Sequence, residues 1–251
     1  MGAKMTSYSC ASPELDWNRY YDVEARTRRF LPELDPAEAE RCAFAESLLP
    51  AGPLGRVLEL GSGDGHLASR LARRPGTRVV CLDLVPDRAA RSSRLSGAPA
   101  LSAFASHLPF RSGSFDLITL VEVLEHLPDI ATVLRGIRRI GRGGELIVTV
   151  PFEQKIPQVI CPHCLGNFPI DGHLHSFSEA TLRDLLSTHG LPPRRMAIHR
   201  PEPPRRWESL LPFRALGSRG RATLKSSLRR AGILDLPPGR YLGAAAPLPS
   251  H

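Results

Sequence analysis

The sequence predicts an α/β fold built on a doubly wound, mostly parallel sheet of seven strands. Three observations carry this prediction. Short apolar strands alternate with helical segments from residue 56 to residue 151, a pattern typical of parallel sheets. A glycine-rich turn at residues 61–65 (Gly-Ser-Gly-Asp-Gly) leads from the first strand into a helix. Asp83 ends the following strand, 18 residues after Gly65.

The elements are predicted in chain order from apolar periodicity and from turn and capping residues. Residues 17–50 should be helical, with Pro36 at the first turn of the second helix. In the central part we expect strands at 56–60, 77–82, 115–120 and 145–150 and helices at 66–74 and 129–140, with a turn at Gly143-Gly144 and an end at Pro151. Residues 178–189 predict one more helix, and residues 195–198 and 240–244 two weaker strands.

This order predicts three regions. Residues 1–50 form an N-terminal helical cap, and residues 51–200 form the ligand-binding core, with a Cys/His insertion at 152–177. Residues 201–251 hold a basic insertion and the last strand of the sheet. No apolar run reaches the roughly 18–20 residues that span a bilayer, and the N-terminus lacks an apolar secretory core. We therefore expect a cytoplasmic protein.

The positive charge is concentrated at the C-terminal end. Residues 191–251 contain 12 Lys and Arg against 3 Asp and Glu, whereas the whole chain has a net charge of +8. Such a segment can contact nucleic acid, an anionic lipid surface or an acidic substrate, or it can be a solvated surface. Few aromatic residues accompany it, so nucleic-acid binding is not favoured, and a membrane-surface contact stays open.

The glycine turn predicts a ligand at the carboxyl ends of the strands. Glycine allows the backbone to turn sharply and to approach a ligand closely, and Glu59 lies just before this turn. A carboxylate at Asp83 can accept hydrogen bonds from both hydroxyls of a ribose. The third glycine of a dinucleotide fingerprint would fall at His66, which argues against a bound pyrophosphate.

Four motifs in order resemble the class I S-adenosylmethionine-dependent methyltransferases. They are Val-Leu-Glu-Leu-Gly-Ser-Gly-Asp-Gly at 57–65, Leu-Pro-Phe at 108–110 with Gly-Ser-Phe-Asp at 113–116, Val-Leu-Glu-His-Leu at 123–127, and the segment 138–151. The resemblance implies this fold and S-adenosylmethionine as the methyl donor, which has no phosphate. It implies a donor site that contains Glu59, Gly61, Ser62, Gly63, Gly65, Asp83, Leu84, Phe104, Ala105 and Val121. Phe104 stands where the family often has an Asp that binds adenine, so apolar packing, Ser106 or backbone groups are expected to replace that contact.

Residues 122–126, Glu-Val-Leu-Glu-His, follow the strand that ends near the reacting methyl group. If this segment is helical, Glu122 and Glu125 share a face with His126, and the three side chains can bind a divalent cation such as magnesium or manganese. The pattern also resembles metal-assisted O-methyltransferases of ubiquinone biosynthesis and small-RNA 2′-O-methyltransferases. That resemblance implies Glu122, Glu125 and His126 as ligands, with His173 or His175 as a further one.

Cys161 and Cys164 have the spacing of a zinc site, and His173 and His175 follow closely. Two cysteines and two histidines can bind zinc tetrahedrally. The two metal sites compete for the same histidines, and one division gives one histidine to each. A reduced cysteine pair without metal stays open as well.

The leading hypothesis is methyl transfer from S-adenosylmethionine to a hydroxyl oxygen of a small molecule, with a divalent cation that lowers the hydroxyl pKa. One alternative is a metal-independent N- or C-methyltransferase with His126 as the general base. A second alternative is a methyltransferase-like RNA-binding protein. The acceptor and the oligomeric state are not readable from the sequence.

Overall fold

A computed structural model describes residues 17–27, 36–160, 167–169, 171–200 and 240–250. Its helices are α1 (Trp17–Thr27), α2 (Pro36–Leu48), α3 (His66–Ala72), α4 (Pro86–Ser96), α5 (Ile130–Ile140) and α6 (Glu179–Thr188). Its strands are β1 (Gly55–Leu60), β2 (Thr77–Asp83), β3 (Ala100–Ser102), β4 (Phe115–Val121), β5 (Gly141–Pro151), β6 (Gln158–Ile160), β7 (Asn167–Pro169), β8 (Arg195–His199) and β9 (Tyr241–Pro247). A 3-10 turn occupies Leu124–His126.

Seven of these strands form the predicted sheet, in the order β3-β2-β1-β4-β5-β9-β8. The first five are parallel, and β9 pairs antiparallel with both β5 and β8. The strand order reverses between β1 and β4, and ligands of doubly wound sheets bind at such a switch point. The short strands β6 and β7 form a separate antiparallel pair.

Apolar side chains bury both faces of the sheet. Leu58, Ile118 and Leu120 pack on one face, and Val57 and Leu117 pack on the other, all at most 1% exposed. In the amino-acid sequence, parallel strands that are covered on both faces appear as continuous runs of apolar residues. This burial explains why the central strands could be predicted from hydrophobicity alone.

Local capping chemistry sets several helix boundaries. Pro86 lies in the first turn of α4, where its missing N–H has no helical partner to lose. The side chain of Asp129 accepts a hydrogen bond from the backbone N–H of Thr132 at the start of α5. Ser178 and Thr181 form a reciprocal capping box at the start of α6. The predicted helices at 129–140 and 178–189 are thereby confirmed to within one residue.

One predicted turn was wrong. Gly143 and Gly144 do not precede the strand but lie inside β5, which begins at Gly141 and includes Pro151. The register with β4 shifts there, and Gly143 adopts a left-handed backbone with φ 67°. A glycine can absorb such an irregularity without ending the strand. The helix α4, the strand β3 and the β6–β7 pair were not predicted from the sequence.

The helix α2 covers the antiparallel part of the sheet. A Cβ atom built on Gly243 of β9 would lie 2.3 Å from Cδ1 of Leu48 and 3.0 Å from the ring of Phe44. Only glycine therefore permits this helix to pack so closely on β9. The contact places the polar face of α2 beside the carboxyl ends of the parallel strands.

Candidate active site

A cavity of about 1090 Å³ lies at the carboxyl ends of β1, β2 and β4. Its volume is at the upper end of the range for small-molecule sites, so it has room for a donor and an acceptor together. The glycine turn, the end of β2 and residues 121–123 and 125–129 line it, and α1 and α2 contribute further residues.

The glycine turn is held by backbone hydrogen bonds to β2. The N–H groups of Gly61 and Ser62 both donate to the carbonyl of Leu82, at 2.7 and 3.1 Å. Gly61, Gly63 and Gly65 have φ values of 76°, 53° and 89°, a left-handed region that side chains disfavour. The predicted role of these glycines as the turn into α3 is confirmed, and Gly61, Ser62 and Gly63 line the cavity.

Asp83 connects this turn to the start of α4. Its Oδ2 accepts a hydrogen bond of 2.9 Å from the N–H of Gly63, and its Oδ1 accepts one of 2.9 Å from the N–H of Val85. The side chain is buried and lines the cavity. Because a carboxylate oxygen can accept two hydrogen bonds, each oxygen retains capacity for a ribose hydroxyl.

Glu59 is buried beneath the glycine turn. Its Oε2 has no hydrogen-bond partner among the described residues. Burial raises the pKa of Glu59 well above its ordinary value, and the negative charge of Glu38 is the second-largest cause of this shift. A buried polar atom without a partner is costly, and an ammonium group of a ligand in the cavity would relieve that cost.

The remaining predicted donor-site residues lie along the same wall. Leu84, Phe104, Ala105 and Val121 all line the cavity, and Gly65 does not. The Phe104 ring is 50% exposed, so an aromatic face is open where the family often has a carboxylate. Such a face can stack on a planar ring but cannot accept a hydrogen bond from an amino group.

The structure corrects the expected helix at Glu122 to His126. Glu122 has a left-handed backbone, with φ 55°, and the 3-10 turn that follows spans Leu124–His126 only. Glu122 and Glu125 therefore do not share a helical face. The Oε1 of Glu122 instead accepts a hydrogen bond of 3.0 Å from the hydroxyl of Thr149 on β5.

Three side chains converge beside the glycine turn. Ligand atoms of Glu125, His126 and His173 lie within 4.8 Å of one another, and all three line the cavity. Among the described residues Glu122 and His175 do not belong to this group. The Nε2 of His126 lies 3.9 Å from Oε1 of Glu125, and the two histidine rings meet edge to face at 4.6 Å.

Glu125 is the most unusual side chain of this group. It is 0% exposed, and neither of its carboxyl oxygens has a hydrogen-bond partner in the part of the chain that the structure describes. Burial raises the pKa of Glu125 well above its ordinary value, and the charge of Glu122 is the second-largest cause of this shift. Burial also raises the pKa of Glu122, against the lowering effect of its bond to Thr149. Burial lowers the pKa of His173, which favours its neutral, metal-binding form.

His175 has a structural role. Its Nε2 donates to the carbonyl of Leu127 at 2.9 Å, and its backbone N–H, with that of Leu174, donates to the carbonyl of Glu125. These bonds fasten residues 172–175 to the 3-10 turn and bring His173 to Glu125. Of the two histidines that were predicted as a possible further metal ligand, His173 is therefore the one that lies beside Glu125.

The predicted zinc ligands Cys161 and Cys164 lie outside the described residues.

The helices α1 and α2 also contribute to the cavity wall, which was not predicted from the sequence. Tyr21 of α1 contacts His126, with its hydroxyl 3.0 Å from Nδ1, and Glu24 of the same helix pairs with Arg88 of α4. Arg41 of α2 pairs with Glu38 at the cavity wall. The adjacent aromatic residues Tyr20 and Tyr21 were a signal in the sequence, because large aromatic side chains on an otherwise polar helix favour a packed face.

The cavity is acidic although the chain is basic. Its lining includes nine carboxylates against three arginines: Glu24, Glu38, Glu59, Asp64, Asp83, Glu122, Glu125, Asp129 and Asp171, with Arg41, Arg88 and Arg91. The net charge of the whole chain is +8. A low-dielectric cleft of one sign concentrates ligands of the other sign. The three arginines pair with Glu24, Glu38 and Asp64. Because burial raises the pKa of Glu59 and Glu125, a bound cation would favour the ionised forms of these two side chains.

Of the predicted basic C-terminal region 201–251, residues 201–239 lie outside the described residues. None of the helices that the structure describes is long and apolar enough to cross a membrane.

Comparison with known proteins agrees with the fold. The Methyltransferase domain family matches residues 17–193, well over half of the chain. A ubiquinone biosynthesis O-methyltransferase of Paracidovorax citrulli is 32% identical over 138 residues, which cover 51% of this chain and 54% of the relative. The chloroplastic tocopherol O-methyltransferase of Arabidopsis thaliana is 28% identical over 172 residues, covering 57% and 49%. The chain thus spans about half the length of these relatives.

Among solved structures, the 1,6-didemethyltoxoflavin-N1-methyltransferase of Burkholderia thailandensis has the same fold, with a TM-score of 0.59 and 20% identity. The match covers 92% of this chain and 87% of that chain, which was solved with S-adenosylhomocysteine and 1,6-didemethyltoxoflavin bound. At this identity the likeness shows the fold alone. Together with the family match over residues 17–193, it leads to one conclusion: the chain belongs to the class I S-adenosylmethionine-dependent methyltransferases.

Proposed function

We propose that this chain transfers a methyl group from S-adenosylmethionine to a hydroxyl oxygen of a small molecule, with help from a divalent cation bound by Glu125, His126 and His173. The observation that carries the proposal is the fully buried Glu125 carboxyl, whose two oxygens lack partners among the described residues. A cation between it and two imidazoles would provide the missing partner.

The donor site fits S-adenosylmethionine by charge and by shape. The donor carries an electrophilic methyl on a positively charged sulfur, and it also carries an ammonium group. Glu59, with its unpartnered buried oxygen, lies under the glycine turn where an ammonium can be bound. Asp83 has acceptor capacity for the ribose, and Phe104 offers a face to the adenine. We propose that Gly63, whose Cβ position is open space, lets the donor approach the backbone.

The donor set of the acceptor site fits a borderline divalent cation. One carboxylate and two imidazoles are ligands that zinc, manganese and related ions accept, with open positions left for water or substrate. Such a cation lowers the pKa of a bound hydroxyl and orients it. In this proposal, Glu125, His126 and His173 hold the acceptor oxygen near the methyl donor and exclude water from it. Glu122 accepts a hydrogen bond from Thr149 near the site and does not belong to the close group.

The acceptor class is inferred from the curated relatives. The two relatives reported above are named as O-methyltransferases of ubiquinone biosynthesis and of tocopherol. We infer a hydroxyl-bearing small molecule for this chain as well. Because an N-methyltransferase has the same fold, we retain a second candidate function. In this metal-independent alternative, His126 acts as the general base.

The deciding experiment measures methyl transfer to a panel of phenols and catechols, with S-adenosylhomocysteine formation as the signal, before and after treatment with a chelator. We expect chelation to abolish turnover without weakening S-adenosylmethionine binding in calorimetry, and manganese or magnesium to restore it. Glu125→Gln should behave like the chelated enzyme, and the exposed control Glu179→Gln like wild type. Turnover that no chelator affects would contradict the cation and leave His126 as base, in which case His126→Ala should slow the reaction by roughly 10²–10⁴-fold.

A separate zinc site at Cys161 and Cys164 stays a prediction from their spacing. One equivalent of zinc should be found by elemental analysis of the purified protein. It should be lost in the double variant Cys161→Ser, Cys164→Ser and retained in Glu125→Gln. Because the add-back of manganese or magnesium uses no zinc, recovery of turnover there distinguishes the two metal sites.

A further inference from the structure

Two polar groups meet at Nδ1 of His126, whereas the other ring nitrogen, Nε2, is the one that lies near Glu125. The hydroxyl of Tyr21 lies 3.0 Å from this nitrogen, and the carbonyl oxygen of Gly172 lies 3.3 Å from it. The same hydroxyl donates to the Gly172 carbonyl at 3.4 Å. The tyrosine and histidine rings meet edge to face at 5.7 Å. These groups come from three parts of the chain and form a closed triangle.

We propose that Tyr21 is a positioning residue that holds His126 in the tautomer with its hydrogen on Nδ1 and its lone pair on Nε2. This inference rests on the proposed function for its purpose, since a metal binds the nitrogen that carries the lone pair. The tautomer itself is a property of the protein without metal. It can therefore be measured independently of methyl transfer.

The donor and acceptor capacities of the three groups select this tautomer. A carbonyl oxygen can only accept, whereas a phenol can both donate and accept. With a hydrogen on Nδ1, that N–H donates to Tyr21, and the Tyr21 hydroxyl donates to Gly172. With a lone pair on Nδ1, Tyr21 can donate to only one of the two acceptors. The imidazole nitrogen and the carbonyl oxygen would then face each other at 3.3 Å, which is repulsive.

The surrounding contacts hold the triangle in place. The backbone N–H of Gly172 donates to the carbonyl of Pro169, and the loop that follows is fastened to the carbonyl of Glu125. A phenol is protonated at neutral pH, so the hydroxyl of Tyr21 can donate. On α1, the ion pair of Glu24 with Arg88 fixes the helix that carries Tyr21.

The tautomer of His126 determines what its other ring nitrogen, Nε2, can bind. With the hydrogen on Nδ1, the lone pair of Nε2 points to the space shared with Glu125 and His173. The other tautomer would place an N–H there and block metal binding until it was lost. Tyr21 thus couples the docking of α1 to the metal-binding form of His126.

The test is a long-range ¹H–¹⁵N spectrum of the full chain with ¹⁵N-labelled histidine, after dialysis against a chelator, with His126→Gln used to assign the signals. We expect the Nδ1-protonated pattern for His126 in wild type. In Tyr21→Phe this pattern should give way to the Nε2-protonated form or to a mixture. The matched control Tyr20→Phe removes a hydroxyl from the same helix and should keep the wild-type pattern.

Manganese affinity gives a second readout in calorimetry. Loss of an outer hydrogen-bond partner of a metal-binding histidine typically weakens metal binding by about 10- to 100-fold, and we expect this for Tyr21→Phe. An Nε2-protonated His126 in wild type overturns the proposal even if the variant does not fold, and so does an unchanged tautomer in Tyr21→Phe. If wild type shows the expected tautomer but binds no manganese, the cation proposal fails while the role of Tyr21 stands.

Discussion

The Oδ2 atom of Asp83 accepts a hydrogen bond of 2.9 Å from the backbone N–H of Gly63. The carboxylate that ends β2 therefore fixes the turn that follows β1, so the proposed ribose site and the glycine turn form one unit. A substitution at Asp83 must affect both. This coupling shapes the first prediction.

Asp83→Asn should weaken S-adenosylmethionine binding by about 5- to 150-fold, which corresponds to about 1–3 kcal/mol for hydrogen bonds left unmade. The amide nitrogen of Asn cannot accept, so the N–H of Gly63 or of Val85 loses its partner. Calorimetry measures the affinity. The matched control is Asp87→Asn, an exposed position in the first turn of α4, and its affinity should equal that of wild type. Equal affinities for all three proteins would place the donor elsewhere.

Gly61→Ala and Gly63→Ala should separate stability from binding. Both positions have a positive φ, which costs about 1–2 kcal/mol for a residue with a side chain. At Gly61 the new Cβ would also lie 2.3 Å from Cγ2 of Val123, whereas at Gly63 it meets no atom within 4 Å. Gly61→Ala should therefore have the lower melting temperature. Gly63→Ala should fold but bind S-adenosylmethionine weakly, because its methyl group lies at the cavity wall.

Glu59→Gln should stabilise the protein without ligand at neutral and alkaline pH. Burial raises the pKa of Glu59 in the folded chain well above 4.5, so the folded state retains a proton that the unfolded state releases. The stability that this proton contributes is complete below pH 4.5 and is lost as the pH rises toward the folded pKa. Gln cannot ionise and does not suffer this loss.

Urea unfolding between pH 4 and pH 8 checks this expectation. The variant should exceed wild type in unfolding free energy at pH 8, and the difference should disappear at pH 4. The exposed control Glu179→Gln should follow the wild-type curve. A difference between Glu59→Gln and wild type that does not depend on pH would show that Glu59 has the same pKa in the folded and the unfolded chain, and it would contradict this prediction.

The ion pair of Glu24 with Arg88 should hold α1 on the rest of the fold. Both side chains are largely buried, at 18% and 22% exposed, so the pair is less screened than a surface pair. A double-mutant cycle with Glu24→Gln and Arg88→Gln should give a coupling energy of about 0.5–3 kcal/mol in unfolding free energy. The exposed pair of Arg26 with Asp22 on the same helix serves as control and should give less than about 1 kcal/mol. Equal coupling for the two pairs would contradict the docking role.

Much of the fold was predictable because its signals are local. The central strands are buried on both faces, and the helix caps at Asp129 and Ser178 act within three residues. The turn at Gly143 was misjudged because glycine serves equally well for a turn and for an irregular strand. The strand β3 was missed because three residues carry too little periodicity to recognise.

For the site, the sequence determined the residue types and their approximate neighbourhood: glycines after β1, an acid after β2, and a Glu–His pair after β4. Tertiary structure alone decided which side chains meet. The left-handed backbone of Glu122 removes it from the close group, and the bonds from Leu174 and His175 to Glu125 bring His173 in. The Tyr21 hydroxyl reaches His126 across 105 residues of sequence. No local pattern encodes such contacts, because they arise from the packing of α1 and of the loop at 172–175 against the ends of the strands.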